Sequence, residues 1–79
     1  MKLYFYTKEN CPLCDEAEEK LEMAAEETDI SWEKRDIYQR DEWLEVYQLR
    51  IPVIETIDGR VLQEGMVSYG ELLAAMKTS

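Results

Sequence analysis

Cys11-Pro12-Leu13-Cys14 limits what this chain can be more than any other stretch. These are its only two cysteines, and the chain has no histidine. They follow a short run that reads as a strand and stand where a helix is expected to begin. A thiol at a helix N-terminus lies at the positive end of the helix dipole, beside backbone N–H groups that have no helical partner. Both effects favour the thiolate, the form that attacks disulfides. A second thiol one turn along can then resolve a mixed disulfide within the chain. Two duller readings exist, a structural cross-link and an inert buried pair. Closing so short a loop removes little chain entropy, so stability is a weak reason for a cross-link here. A zinc site asks for about four ligands. One chain with two cysteines and no histidine reaches that number only by adding carboxylates. No metal site is therefore expected.

The 79 residues, 46% of them hydrophobic, suffice for one small core, and a single domain over 1–79 is expected. Met1-Lys2 leads into only four apolar residues, Leu3 to Tyr6, which does not resemble an export signal. No apolar stretch approaches the ~20 residues of a membrane helix. The expected compartment is a reducing cytoplasm, where a two-cysteine motif is more often catalytic or metal-binding than structural. The net charge of −9 argues against nucleic acid as a partner. It serves solubility, and more weakly it suits steering toward basic partner surfaces.

Leu3 to Thr7 reads as a buried strand, short, aromatic and almost wholly apolar. Lys8-Glu9-Asn10 is a polar loop in which Asn10 is a candidate helix cap, with Cys11 or Pro12 as alternative starts. Proline suits a first helical turn because its missing N–H would have no partner there. From Pro12 to about Glu27 the pattern is helical, with Cys14, Ala17, Leu21, Ala24, Ala25 and Thr28 on one face. Ile30 to Ile37 reads as a second strand near a sheet edge. Asp41 to Tyr47 reads as a short helix turning Leu44 and Tyr47 inward. Pro52 to Thr56 or Ile57 is a third strand, Asp58-Gly59 a hairpin turn, and Arg60 to Gln63 or Glu64 the returning strand. Ser68 is expected to cap a last helix, Tyr69 to Lys77, with Leu72, Leu73 and Met76 as its apolar stripe. Tyr4, Tyr6, Trp32 and Trp43 read as core or half-buried aromatics. The order β-α-β-α-β-β-α predicts an α/β fold, a four-stranded mixed sheet with three helices. The cysteine pair falls at the C-terminal end of the first strand, where open α/β sheets bind ligands.

This order, with Tyr6-Thr7-Lys8-Glu9-Asn10-Cys11-Pro12-Leu13-Cys14 and then Arg50-Ile51-Pro52-Val53, resembles the glutaredoxins and their small bacterial glutaredoxin-like relatives, of thioredoxin-like fold. The resemblance spans essentially the whole chain. It implies that Cys11 is the nucleophile and Cys14 the resolving thiol of a thiol–disulfide oxidoreductase. It implies a cis Pro52 facing them, with Pro12 and Leu13 beside the substrate. The backbone of Ile51 would be offered to a substrate strand. Lys8 matches the lysine that contacts a carboxylate of glutathione, and a cation there also favours a thiolate. Gly65 and Ser68 match part of the segment that holds the amino-acid end of glutathione. The rest departs from the pattern. Leu13 replaces an aromatic residue, Arg50-Ile51-Pro52 stands for Thr-Val-Pro, and Met66 and Tyr69 replace a glycine and an aspartate. Arg50 is either a carboxylate receptor or a solvated residue opening the strand. Asp15, Glu16, Glu18 and Glu19 support the helix N-terminus and oppose a thiolate.

The expectation is no resident cofactor, glutathione or a thioredoxin-reductase-type flavoenzyme as electron donor, disulfide-containing proteins as substrates, and a monomer. The alternatives are an iron–sulfur-cluster-binding module shared between chains and a non-catalytic interaction domain.

Overall fold

The computed structural model describes residues 1–77. Its elements run β1 (Lys2–Thr7), α1 (Pro12–Glu27), β2 (Ser31–Asp36), a 3₁₀ turn (Ile37–Gln39), α2 (Asp41–Tyr47), β3 (Val53–Thr56), β4 (Val61–Glu64) and α3 (Tyr69–Lys77). The described strands form one sheet in the order β2-β1-β3-β4. β1 runs parallel to β2 and antiparallel to β3, and β3 runs antiparallel to β4. This is the mixed α/β sheet with three helices that the sequence predicts.

The sheet divides the apolar residues by strand alternation. Leu3, Phe5 and Ile54 face α1 and α3, where they join Cys14, Ala17, Leu21, Ala24, Leu72 and Met76 in one buried cluster. Tyr6 and Val53 face the other way and pack with Ile37 and Tyr47 in a second cluster under α2. Alanines at 17 and 24 let α1 lie close on the sheet, so the cysteine at its first turn is carried into the larger core.

Several boundaries differ from those read in the sequence. β2 spans Ser31–Asp36 and not Ile30 to Ile37, because the Asp36 carboxylate accepts from the Tyr38 N–H at 2.9 Å and starts the 3₁₀ turn. β3 begins at Val53 and β4 at Val61. Between them the Gly59 N–H donates to the Thr56 carbonyl at 3.0 Å and the Thr56 N–H to the Arg60 carbonyl at 2.9 Å. That loop takes residues 57–60 out of the ladder, and a register irregularity at Ile54/Glu55 absorbs the remainder. The cap of α1 is Cys11, not Asn10; Asn10 instead takes a left-handed conformation, φ 55°, which asparagine tolerates better than most residues. None of the helices of the described residues is long and apolar enough to cross a membrane.

Candidate functional site

Cys11 and Cys14 are joined as a disulfide, with Cα atoms 5.2 Å apart. The spacing follows from the helix start. Cys11 is extended at the N-cap while Cys14 is already helical, one turn on. The Cys14 N–H donates to the Cys11 sulfur at 3.2 Å, and the Asp15 N–H to the Cys11 carbonyl at 3.0 Å. Cys11 therefore serves as the side-chain cap of α1. The two sulfurs are not equivalent to an approaching reagent. Cys11 is 9% exposed and Cys14 2%. Pro12 at the helix start and Leu13, 41% exposed, stand in solvent beside them.

The Ile51–Pro52 peptide is cis. Pro52 is buried, and Ile51 packs half-buried against both apolar clusters, including the one that holds the two cysteines. The Ile51 N–H donates to the Tyr47 carbonyl at 3.0 Å. A strand laid against Ile51 would have to pair through its carbonyl, since the N–H is occupied.

Gly65 sits directly on this loop. Its N–H lies 2.8 Å from the Pro52 carbonyl and 3.2 Å from the Arg50 carbonyl. Its φ of 73° is a conformation that glycine reaches without a Cβ penalty. Two residues later Val67 enters the cluster of the cysteines. Ser68 is exposed and caps α3, its hydroxyl accepting from the Glu71 N–H at 3.3 Å. Its own N–H is taken by the Gln63 side-chain carbonyl at 3.2 Å.

Lys8 lines a hollow of about 360 Å³ that reaches Cys14 and to which neither Gly65 nor Ser68 contributes. Glu9, Asp15, Glu18 and Asp36 share that hollow with Lys8 and Lys34, and Lys34 is already paired to Glu18 at 3.1 Å. Carboxylates thus outnumber cations beside the disulfide, and Lys8 is the cation there without an ion-pair partner among the described residues. Glu16 and Glu19 point to solvent outside it. No three or more histidine, cysteine, aspartate or glutamate side chains gather as a metal site among the described residues.

Sequence reasoning left three partnerships unread. Arg50 is neither a free carboxylate receptor nor a simple solvated side chain, because it binds Glu64 through two nitrogens at 2.8 and 3.4 Å. That pair raises the Arg50 pKa above its ordinary value, the hydrogen bond to Glu64 being the main cause. Glu55, 7% exposed, accepts from the Tyr47 hydroxyl at 2.6 Å. Tyr47 in turn stacks on Tyr6 with ring centroids 3.9 Å apart, and Arg35 donates to the Tyr6 hydroxyl at 2.9 Å. The strand alternation of β3 was the available signal for Glu55, and its partner lies eight residues away.

Residues 2–77 match the model of the family described as Glutaredoxin-like domain (DUF836). A structural-genomics target protein from X. campestris, XcR50, superposes with a TM-score of 0.85 at 27% identity, over 98% of this chain and 97% of that one. Thioredoxin 1 of the thermophilic eubacterium Thermosipho africanus superposes with a TM-score of 0.70 at 16% identity, over 99% of this chain and 92% of that one. The fold is accordingly that of the thioredoxins. No curated protein matches the chain.

Proposed function

This chain belongs to the glutaredoxin-like domain family, and from that premise we propose that it is a thiol–disulfide oxidoreductase acting through Cys11 and Cys14. The observation that carries the reading is the pair's placement. A disulfide spans the first turn of α1, with the more exposed sulfur at the N-cap and the other buried in the core.

In the reduced protein the Cys11 thiolate would take the Cys14 N–H and the positive end of α1 as its stabilisers. It attacks one sulfur of a substrate disulfide, forming a Cys11–substrate bond and expelling the other substrate sulfur as a thiolate. Cys14, deprotonated, then attacks Cys11. The substrate's second sulfur leaves with its electron pair and takes up a proton, and the Cys11–Cys14 disulfide is restored. Two external thiols or a flavoenzyme return two electrons to it. Leu13, Pro12 and the Ile51 carbonyl are the groups best placed to meet a polypeptide substrate. Disulfide-containing proteins are the substrate class, acted on by a monomer in a reducing cytoplasm. The donor is glutathione or a thioredoxin-reductase-type flavoenzyme.

The test is reduction of a protein disulfide with dithiothreitol as donor. Catalysis is expected from the wild type and none above background from Cys11→Ser. A Cys11→Ser protein as active as the wild type would overturn the reading.

A further inference from the structure

Two groups near the cis-Pro52 loop have the chemistry to receive an anion, and both are filled by the chain itself. Arg50 immediately precedes Ile51, and its guanidinium is held by Glu64 through two nitrogens at 2.8 and 3.4 Å. The Ser68 N–H, at the start of α3, is held by the Gln63 side-chain carbonyl at 3.2 Å. The Gln63 amide nitrogen is fixed in turn by Glu71 at 2.8 Å. Gln63 and Glu64 are successive residues of β4, and Gly65 after them hydrogen-bonds to the carbonyls of Arg50 and Pro52. The end of β4 is therefore locked onto this loop with its side chains already occupying the donors.

The hollow reaching Cys14 adds four carboxylates against two lysines. An incoming thiol that carries a carboxylate would have to displace Glu64 to reach Arg50, and it meets like charge elsewhere. A free carboxylate can only replace the one that Arg50 already holds, with the same charge and the same donors. A competitor gains little by exchanging one carboxylate for another.

We infer that Glu64, supported by Gln63, determines specificity at this site by acting as a built-in carboxylate on Arg50, so that the Cys11–Cys14 disulfide exchanges with neutral or cationic thiols in preference to anionic ones. This rests on the oxidoreductase reading above and selects within it. Among thiol donors, those without net negative charge at the reacting end are preferred and glutathione is disfavoured. The exchange itself is unchanged. The donor thiolate attacks Cys11, and Cys14 leaves as a thiolate and takes up a proton. A second donor thiolate then attacks the donor sulfur bound to Cys11, Cys11 leaves as a thiolate, and the two donors depart as their symmetric disulfide.

The experiment measures reduction of the oxidised protein by glutathione, mercaptoethanesulfonate, mercaptoethanol and cysteamine, each at the same pH and ionic strength. Wild type is compared with Glu64→Ala and with the Glu64→Ala/Arg50→Ala double variant. Each thiol is compared only with itself across variants, so differences in thiol pKa cancel. Glu64 is an exposed partner in the pair, and circular dichroism of each variant verifies the fold. The expected result is an increase of about tenfold (~1.4 kcal/mol) for the two anionic thiols relative to mercaptoethanol in Glu64→Ala. That gain should be lost when Arg50 is also removed. An equal change for all four thiols, or none, overturns the role of Glu64 while leaving the oxidoreductase reading intact. So does a selective gain that survives loss of Arg50. Failure of every thiol to reduce the wild-type disulfide overturns both.

Discussion

The Cys14 N–H donates to the Cys11 sulfur across 3.2 Å, so one atom is both the helix cap and the group expected to attack a disulfide. Structure and chemistry at position 11 can be separated by substitution. Serine is among the best N-caps and alanine is not. In the reduced protein Cys11→Ser should retain the stability of the wild type, whereas Cys11→Ala should lose about 0.5–2 kcal/mol of unfolding free energy. Both should lose disulfide reductase activity. Denaturant unfolding of the reduced proteins checks the difference. Equal stability of the two variants would mean that the sulfur is not capping α1.

The Tyr47 hydroxyl and the Glu55 carboxylate form a buried hydrogen bond of 2.6 Å between α2 and β3. Removing the hydroxyl leaves a carboxylate in the core with its partner gone, which costs more than the bond itself was worth. Tyr47→Phe should destabilise the protein by about 1–3 kcal/mol despite conserving the ring and its stacking on Tyr6. The double variant Tyr47→Phe/Glu55→Gln should recover part of that loss. Thermal unfolding of the set checks both statements, and a Tyr47→Phe protein as stable as wild type would contradict them.

Burial and the neighbouring Glu55 push the Tyr47 pKa well above its ordinary value. A tyrosine is neutral when protonated, so a raised folded-state pKa means that the folded chain holds this proton more tightly than the unfolded one. The stability it supplies is fully present below the unfolded pKa of about 10 and is lost as pH rises above that. Tyrosinate absorbance followed against pH should therefore show a fraction that resists ionisation until the far-ultraviolet signal of the fold collapses. Tyr47→Phe should remove that resistant fraction. A titration of all five tyrosines in one reversible step in the folded protein would count against the burial of this hydroxyl.

The three helices were readable in the residues because their ends carry local signals. Pro12 opens α1, Ser68 precedes α3, and the spacing of Leu44 and Tyr47 turns α2 inward, so Pro12–Glu27, Asp41–Tyr47 and Tyr69–Lys77 fall where periodicity put them. The cysteine pair was legible for the same reason, as it sits within a single turn. What could not be read depends on partners far apart in the chain. Arg50 finds Glu64 only after β3 and β4 have paired, and Gln63 reaches Ser68 only because β4 ends on the cis-Pro52 loop. Lys8 matched a glutathione-binding lysine by motif, yet four carboxylates, from its own loop, α1 and the end of β2, share its hollow. A motif records the neighbours along the chain, while the charge around a side chain is set by those across it.

Gly65 joins β4 to the cis-Pro52 loop at a φ of 73°, a region that costs an L-residue roughly 1–2 kcal/mol. Space is not the obstacle, since a Cβ added there would meet nothing within 4 Å. Any penalty of Gly65→Ala is thus conformational, and the chain can relieve it only by rotating the peptide whose N–H holds the Arg50 and Pro52 carbonyls. Gly65→Ala is expected to lower stability by about 1–2 kcal/mol. It should also lower the rate at which protein disulfides are reduced, because Ile51 and Pro52 shift with those hydrogen bonds, while direct reduction of the Cys11–Cys14 bond by dithiothreitol is less affected. Gly65→Asn, which tolerates the left-handed region better, should recover much of both losses. Stability and protein-disulfide reduction measured on the three proteins decide the matter. Equal effects of alanine and asparagine would show that bulk at position 65, not backbone conformation, governs this corner of the site.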